Sequence, residues 1–173
     1  MKVLLTGANG QLGQALKLCV PSDVELIATS RKELDLSDSK ACQACVEMHK
    51  PDWVINAGAY TAVDKAEGEL TLAMEINADA PAAFAAGLLK TGGRLLQIST
   101  DFVFNGLQSS PYQVEQAVDP IGVYGKTKAR AENYVLKALG GLGRVHILRT
   151  SWLYGPLGTN FCLTMLRLHK ERA

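Results

Sequence analysis

Lys2-Val3-Leu4-Leu5-Thr6-Gly7-Ala8-Asn9-Gly10-Gln11-Leu12-Gly13, followed by Gln14-Ala15-Leu16-Lys17-Leu18, is the stretch whose reading decides the fold. Lys2 to Thr6 is a short apolar run that stops at a glycine, as a strand buried on both faces of a parallel sheet does. Gln14 to Leu18 has helical spacing. Between them lie Gly7, Gly10 and Gly13 in a Gly-x-x-Gly-x-x-Gly pattern. Glycines there permit a tight turn and close approach of the backbone to a ligand. The helix that follows offers free N–H groups and the positive end of its dipole to a pyrophosphate. Strand, glycine turn and helix in this order predict a dinucleotide site.

Reading outward, Pro21-Ser22-Asp23 breaks the helix and Val24 to Thr29 is a second strand. It ends Thr29-Ser30-Arg31, where a unit of this kind meets the adenosine ribose. No carboxylate stands among these residues to accept from a ribose 2′-OH. Thr29 and Ser30 can donate to phosphate oxygens, and Arg31 can form a charge-assisted pair with them. Glu33 is expected to point to solvent. This end of the strand predicts NADPH in preference to NADH, with dual use open. Ser37 or Asp38 caps a helix through Met48, and Trp53 to Ala57 is a third strand, closed by the small residues Gly58-Ala59. A polar loop from Tyr60 to Leu70 enters an Ala- and Leu-rich helix, Leu72 to Lys90, which Thr91-Gly92-Gly93 terminates. Arg94 to Ser99 is a fourth strand, and Ser99-Thr100-Asp101 places two hydroxyls and a carboxylate at its end. Asn105 to Pro120 is a loop with several turn signals. A helix from Tyr124 to Leu139, a strand from Val145 to Arg149, a loop from Thr150 to Gly155 and a helix from Asn160 to Lys170 complete the chain. This alternation predicts an α/β fold: a doubly wound parallel sheet with helices on both faces and right-handed crossovers, the Rossmann arrangement. The expected strand order is 3-2-1-4-5, with the switch point beside the first strand.

Tyr124-Gly125-Lys126-Thr127-Lys128 opens the fourth of these helices with a tyrosine and a lysine four residues apart. On a helix those positions share a face, one turn apart. A free tyrosine titrates near pH ~10. A neighbouring ammonium favours the phenolate and is expected to lower that value. Such a phenol can exchange a proton with a carbonyl or alcohol oxygen.

Composition narrows the class. The 173 residues fit one domain, with 47% hydrophobic and 20% charged residues, and the net charge of +1 shows no electrostatic footprint for nucleic acid. No apolar run approaches the length of a membrane span. The apolar part of Met1 to Gly7 is too short for a secretory signal, so the chain reads as cytoplasmic. Cys19, Cys42, Cys45 and Cys162 fit free thiols in a reducing compartment. Cys42-x-x-Cys45 lies inside a helical run with no second ligand pair, and His49, His146 and His169 have no ligand spacing. No metal site is expected.

Five stretches together resemble the extended short-chain dehydrogenase/reductases and, among them, the dTDP-4-dehydrorhamnose reductases. They are Gly7 to Gly13, Asn56-Ala57-Gly58-Ala59-Tyr60-Thr61-Ala62-Val63-Asp64, Ser99 to Phe104, Tyr124 to Lys128, and Arg149-Thr150-Ser151-Trp152. They cover the chain from end to end. The resemblance implies Thr100, Tyr124 and Lys128 as a catalytic triad. It implies dinucleotide contacts at Asn9, Gly10, Gln11, Leu12, Asp35, Leu36, Ala57, Gly58, Ala59, Tyr60, Tyr124 and Lys128, beside Gly7, Gly13 and Arg31. It implies sugar-nucleotide contacts at Thr100, Asp101 and Trp152, with Asp35 facing the adenine. The implied activity is NAD(P)H-dependent reduction of the 4-keto group of dTDP-4-dehydro-6-deoxy-L-mannose to dTDP-L-rhamnose. The sequence stops at Ala173, where this family continues into a sugar-binding part. Residues 1–173 are therefore expected to be the NAD(P)-binding domain, as a fragment or a truncated reading frame, with most of the substrate domain absent and a homodimer of the full-length protein left open. Two other readings compete: another nucleotide-sugar enzyme of the superfamily, an epimerase or dehydratase, and a non-catalytic dinucleotide-binding subunit like the regulatory subunit of methionine adenosyltransferase.

Overall fold

The computed structural model describes residues 1–172. Five parallel strands form one sheet: β1 (Lys2–Thr6), β2 (Glu25–Thr29), β3 (Trp53–Asn56), β4 (Arg94–Thr100) and β5 (Val145–Thr150). The helices between them are α1 (Gln11–Leu18), α2 (Ser39–His49), α3 (Val63–Ala66), α4 (Leu70–Met74), α5 (Ala80–Thr91) and α6 (Val123–Leu139), and α7 (Phe161–Arg172) follows β5. The doubly wound parallel sheet is the predicted one.

The strand order is not. It is β2-β1-β3-β4-β5, with β3 beside β1 rather than outside β2. Asn56 gives the reason. Its side chain accepts from Thr6 Oγ1 at 2.6 Å and donates to Gln97 Oε1 at 2.9 Å. That buried ladder satisfies three polar groups only if β3 stands between β1 and β4. β2 is left as the edge, with Glu25 exposed. The switch point still falls beside β1, between β1 and β3.

Leu4, Val54 and Leu95 point to one face of the sheet and pack with Val46, Phe84, Leu88, Val135 and Leu139 from α2, α5 and α6. All eight are fully buried, and at about 25 cal/mol per Å² of apolar area this layer is the main favourable term holding the domain together. Gly87 lets α2 and α5 touch, since a Cβ there would lie 2.8 Å from Val46 Cβ.

The expected single helix from Leu72 to Lys90 is interrupted. Glu75 to Asp79 forms a π-helical turn between α4 and α5. Pro81 stands at the start of α5 and has no N–H to continue an α-helical ladder. A widened turn absorbs that loss. The loop read as Tyr60 to Leu70 also holds one helical turn, α3. No helix among the described residues is long and apolar enough to cross a membrane.

Candidate active site

The carboxyl ends of β1, β3, β4 and β5 open onto one cavity of about 760 Å³. That size is ample for a cofactor with part of a second ligand. At one end, Gly7 adopts φ +66, and a Cβ there would lie 2.6 Å from the Gly58 backbone. The turns after β1 and β3 therefore touch, and only glycines allow it. Gly10 N donates to Gly7 O at 2.9 Å, and Gly10 is the N-cap of α1. No side chain caps that helix and no acidic residue stands in its first turn. Its N–H groups and dipole face the cavity wall formed by Asn9, Gly10, Gln11 and Leu12. Gly13 does not line the cavity. It packs against the Gly7 carbonyl and lets the helix close onto the turn.

The end of β2 differs from expectation. Thr29 is buried and its hydroxyl donates to Leu5 O at 3.3 Å, inside the sheet. Glu33 folds back, accepting from Ser30 N at 2.7 Å and from the Ser30 hydroxyl, which holds its carboxyl below the usual range. Thr29 is thus turned away from a phosphate and Ser30 is engaged by Glu33, while Glu33 itself is exposed, as expected. Arg31 lines the cavity and enters no salt bridge among the described residues. Asp35 and Leu36 line it too. Asp35 accepts from Ser37 N at 3.0 Å and Ser37 Oγ at 2.9 Å, and these bonds, with a smaller contribution from Arg31, lower its pKa.

Thr100, Tyr124 and Lys128 meet at the other end of the cavity. β4 carries Thr100 to the sheet edge, where its oxygen accepts from Phe102 N at 3.2 Å and its hydroxyl donates to Asp101 Oδ1 at 3.0 Å. α6 carries the other two. Its N-terminus is capped from a distance: Glu67, beyond α3, accepts from Val123 N at 2.8 Å. A Cβ on Gly125 would clash with the Phe102 carbonyl, so this glycine brings α6 against the turn after β4. Tyr124 packs edge-on against Phe102, ring centroids 5.7 Å apart.

The electrostatics overturn one expectation. The Tyr124 phenol is raised above its ordinary value: burial dominates, Asp101 adds to it, and the Thr100 hydroxyl opposes it. Lys128 does not pull it down. The Lys128 ammonium is 3% exposed and donates to Ile98 O at 2.7 Å, a neutral carbonyl. Burial pushes Lys128 down to about 8, against the field of Glu132. Tyr124 is therefore a loaded proton donor at neutral pH, and Lys128 is a cation held close to neutralisation.

Asp101 and Trp152 lie at the mouth. The Asp101 carboxylate also accepts from Ser151 Oγ at 2.7 Å. Trp152 has φ +52, an uncommon backbone state for a bulky residue, and its ring meets Phe161 edge-on at 5.1 Å. Gln11 Nε2 donates to Leu153 O at 2.9 Å, pinning the loop after β5 to the start of α1.

A family model, the RmlD substrate binding domain, matches residues 1–173. The chain belongs to this family. It is 41% identical over 169 residues to a dTDP-4-dehydrorhamnose reductase of Streptomyces griseus, covering 97% of this chain and 55% of that protein. It is 42% identical over 177 residues to the Salmonella typhimurium protein of the same name, covering 99% and 58%. The crystal structure of the Bacillus anthracis dTDP-4-dehydrorhamnose reductase, in complex with NADP, superposes with a TM-score of 0.93 at 38% identity, covering 99% of this chain and 60% of that one. The chain thus spans somewhat over half the length of the relatives it matches.

Two supports of the site escaped the sequence reading. Asn77, 1% exposed in the π-helical turn, accepts from Tyr60 N at 2.9 Å and donates to Tyr60 O and to Thr127 Oγ1, both at 3.1 Å. It ties the loop after β3 to α6 between Tyr124 and Lys128. An asparagine two residues after a glutamate in an Ala-rich run carries no local signal, although Pro81 four residues on marks a helix that cannot be regular. Glu132 is the second. In the Cys42–Cys45 pair, Cys42 is buried, and burial pushes its thiol up to about 12, away from the thiolate that disulfide exchange uses.

Proposed function

We propose that this chain is the dinucleotide-binding and catalytic part of a reductase. It reduces the 4-keto group of dTDP-4-dehydro-6-deoxy-L-mannose to give dTDP-L-rhamnose with NADPH, and NADH serves less well. The observation that carries this reading is the meeting of Thr100, Tyr124 and Lys128 at one end of a cavity whose other end is a glycine cradle. The cradle fits a dinucleotide. α1 presents an uncapped, acid-free N-terminus, and Gln11 Oε1 is buried beside it with no partner among the described residues. Gly7, Asn9, Gly10, Gln11 and Leu12 would hold the pyrophosphate region, Arg31, Asp35 and Leu36 the adenosine end, and Ala57, Gly58, Ala59 and Tyr60 the passage between the two ends. The reduced nicotinamide supplies the hydride.

The chain's own residues do the rest. Tyr124 gives its proton to the carbonyl oxygen as negative charge develops there, and its raised pKa keeps that proton in place until needed. Thr100 hydrogen-bonds the same oxygen and fixes its approach. Lys128 places a cation beside the reacting group and binds a ribose. Asp101 and Trp152 bound the sugar side of the cavity. Among the superfamily alternatives, the Asn9-Gly10-Gln11-Leu12 turn and the relatives' names favour the reductase. The Tyr124 and Lys128 pair favours an enzyme over a binding subunit. Following NADPH oxidation with the 4-keto sugar, beside fluorescence titration of NADPH, tests the proposal. Tight binding without any oxidation would favour the binding subunit. Absence of binding would remove the proposal altogether.

A further inference from the structure

The proton-transfer chemistry leaves one buried carboxylate without a task. Glu132 is 3% exposed and lies on α6 one turn beyond Lys128. Ser99, the residue before Thr100, donates its hydroxyl to Glu132 Oε1 at 2.5 Å. The Arg149 guanidinium grips both carboxylate oxygens, with Nη2 to Oε2 at 2.6 Å and Nε to Oε1 at 3.0 Å. Strands β4 and β5 and helix α6 are thereby joined at a single anion. Arg149 alone balances that anion, yet a second cation is buried nearby with no carboxylate in bonding range. Lys128 rests on the Ile98 carbonyl. The titratable groups of this region are Tyr124 and Glu132 on the same helix, Asp101 just past the end of β4, Arg149 on β5, and Glu115 in the loop before α6, which acts on Arg149.

We propose that Glu132 is a positioning residue for the Tyr124–Lys128 pair: its carboxylate, fixed by Ser99 and Arg149, holds the Lys128 side chain as an ammonium and anchors the strand end that carries Thr100. The proposal rests on the reductase reading for its meaning, though not for its test. Burial drives the Lys128 proton off, and the Glu132 field is what opposes that. An opposite charge nearby favours the charged form of its neighbour. Without it Lys128 becomes neutral near physiological pH, and the cation beside the reacting oxygen is lost. The Ser99 bond adds a mechanical link, since the hydroxyl that is held belongs to the residue next to Thr100.

The test labels the lysines of the 173-residue chain with 13C and 15N and follows the Lys128 side-chain resonance through pH, identified by its loss in Lys128→Arg. Glu132→Gln keeps the size and the Ser99 contact while removing the charge. The expected result is a Lys128 midpoint lowered by about one unit or more, a tenfold loss of proton affinity. An unchanged midpoint overturns the proposal. So does an upward move toward the ordinary lysine value, which a merely loosened and hydrated pocket produces. The same comparison in an Arg149→Met background leaves no unpaired guanidinium to unfold the protein. There too, adding Glu132→Gln must lower the midpoint, and its failure to do so is equally decisive. Neither measurement needs cofactor or sugar, so its failure and the failure of the reductase reading are separate results.

Discussion

Lys128 Nζ donates to the carbonyl of Ile98 at 2.7 Å, and that carbonyl also accepts from Gln97 Nε2 at 2.8 Å. The ammonium is thus anchored to the backbone of β4 two residues before Thr100, inside the fold. This placement explains why burial lowers the lysine to about 8 while the neighbouring phenol rises.

The stability consequence has a definite sign. The folded pKa of Lys128 lies below its unfolded value of about 10.4. Between about 8 and 10.4 the unfolded chain binds more protons, so Lys128 opposes folding in full below about pH 8 and this penalty is relieved as pH rises. Lys128→Met should therefore stabilise the chain at pH 7 by about 1–3 kcal/mol, and the gain should shrink toward pH ~10. Urea unfolding at the two pH values checks it. A substitution that destabilises at pH 7 contradicts the placement of this charge.

Tyr124→Phe removes the proton donor but leaves the ring against Phe102. Turnover of the 4-keto sugar should fall by about 10²–10⁴-fold, with NADPH affinity changed no more than a few-fold. Steady-state kinetics and a fluorescence titration separate the two. Wild-type turnover by the variant would remove Tyr124 from the mechanism.

Arg31 is the one group at the end of β2 that reaches the cavity, since Thr29 is engaged with Leu5 and Ser30 with Glu33. A hydrogen bond to a charged group is worth about 1.5–3 kcal/mol, or about 10- to 100-fold in affinity. Arg31→Ala should weaken NADPH by about that factor and leave NADH nearly unchanged. If the ratio of the two affinities does not move, Arg31 has no part in the selection.

Asn77 makes three hydrogen bonds inside the protein, two of them to the Tyr60 backbone. Asn77→Ala leaves buried polar groups unpaired, at about 1–3 kcal/mol each. The variant should unfold at lower urea and bind NADPH more weakly than its remaining folded fraction accounts for, because the loop from Gly58 to Tyr60 is released. Stability loss with undiminished affinity of the folded protein would confine Asn77 to a structural role.

The 173-residue chain should bind NADPH but reduce the sugar slowly. It spans 55% of the length of the Streptomyces griseus relative, and loss of remote substrate contacts lowers turnover as well as affinity. Activity equal to a full-length relative, measured side by side, would show that the substrate wall is complete here.

Local rules carried much of this protein. The apolar run into Gly7, the helix capped by Asp38, and the glycine stop at Gly92 each depend on residues within one turn of one another, so the strands and most helices were legible in order. The grouping of Thr100, Tyr124 and Lys128 was implied by the family resemblance, and the sheet supports it by delivering Thr100 at the end of β4 beside the start of α6. Partners distant in sequence decided the rest. Asn56 chose the strand order through Thr6 and Gln97, which lie 50 and 41 residues away. Glu67 capped a helix 56 residues on. The direction of the Tyr124 shift turned on where Lys128 Nζ points and how deeply the phenol is buried, neither of which a Tyr-x-x-x-Lys spacing contains. Spacing along a helix sets which side chains share a face. Desolvation and hydrogen bonding set their protonation, and those come into being only when the sheet and α6 close over them.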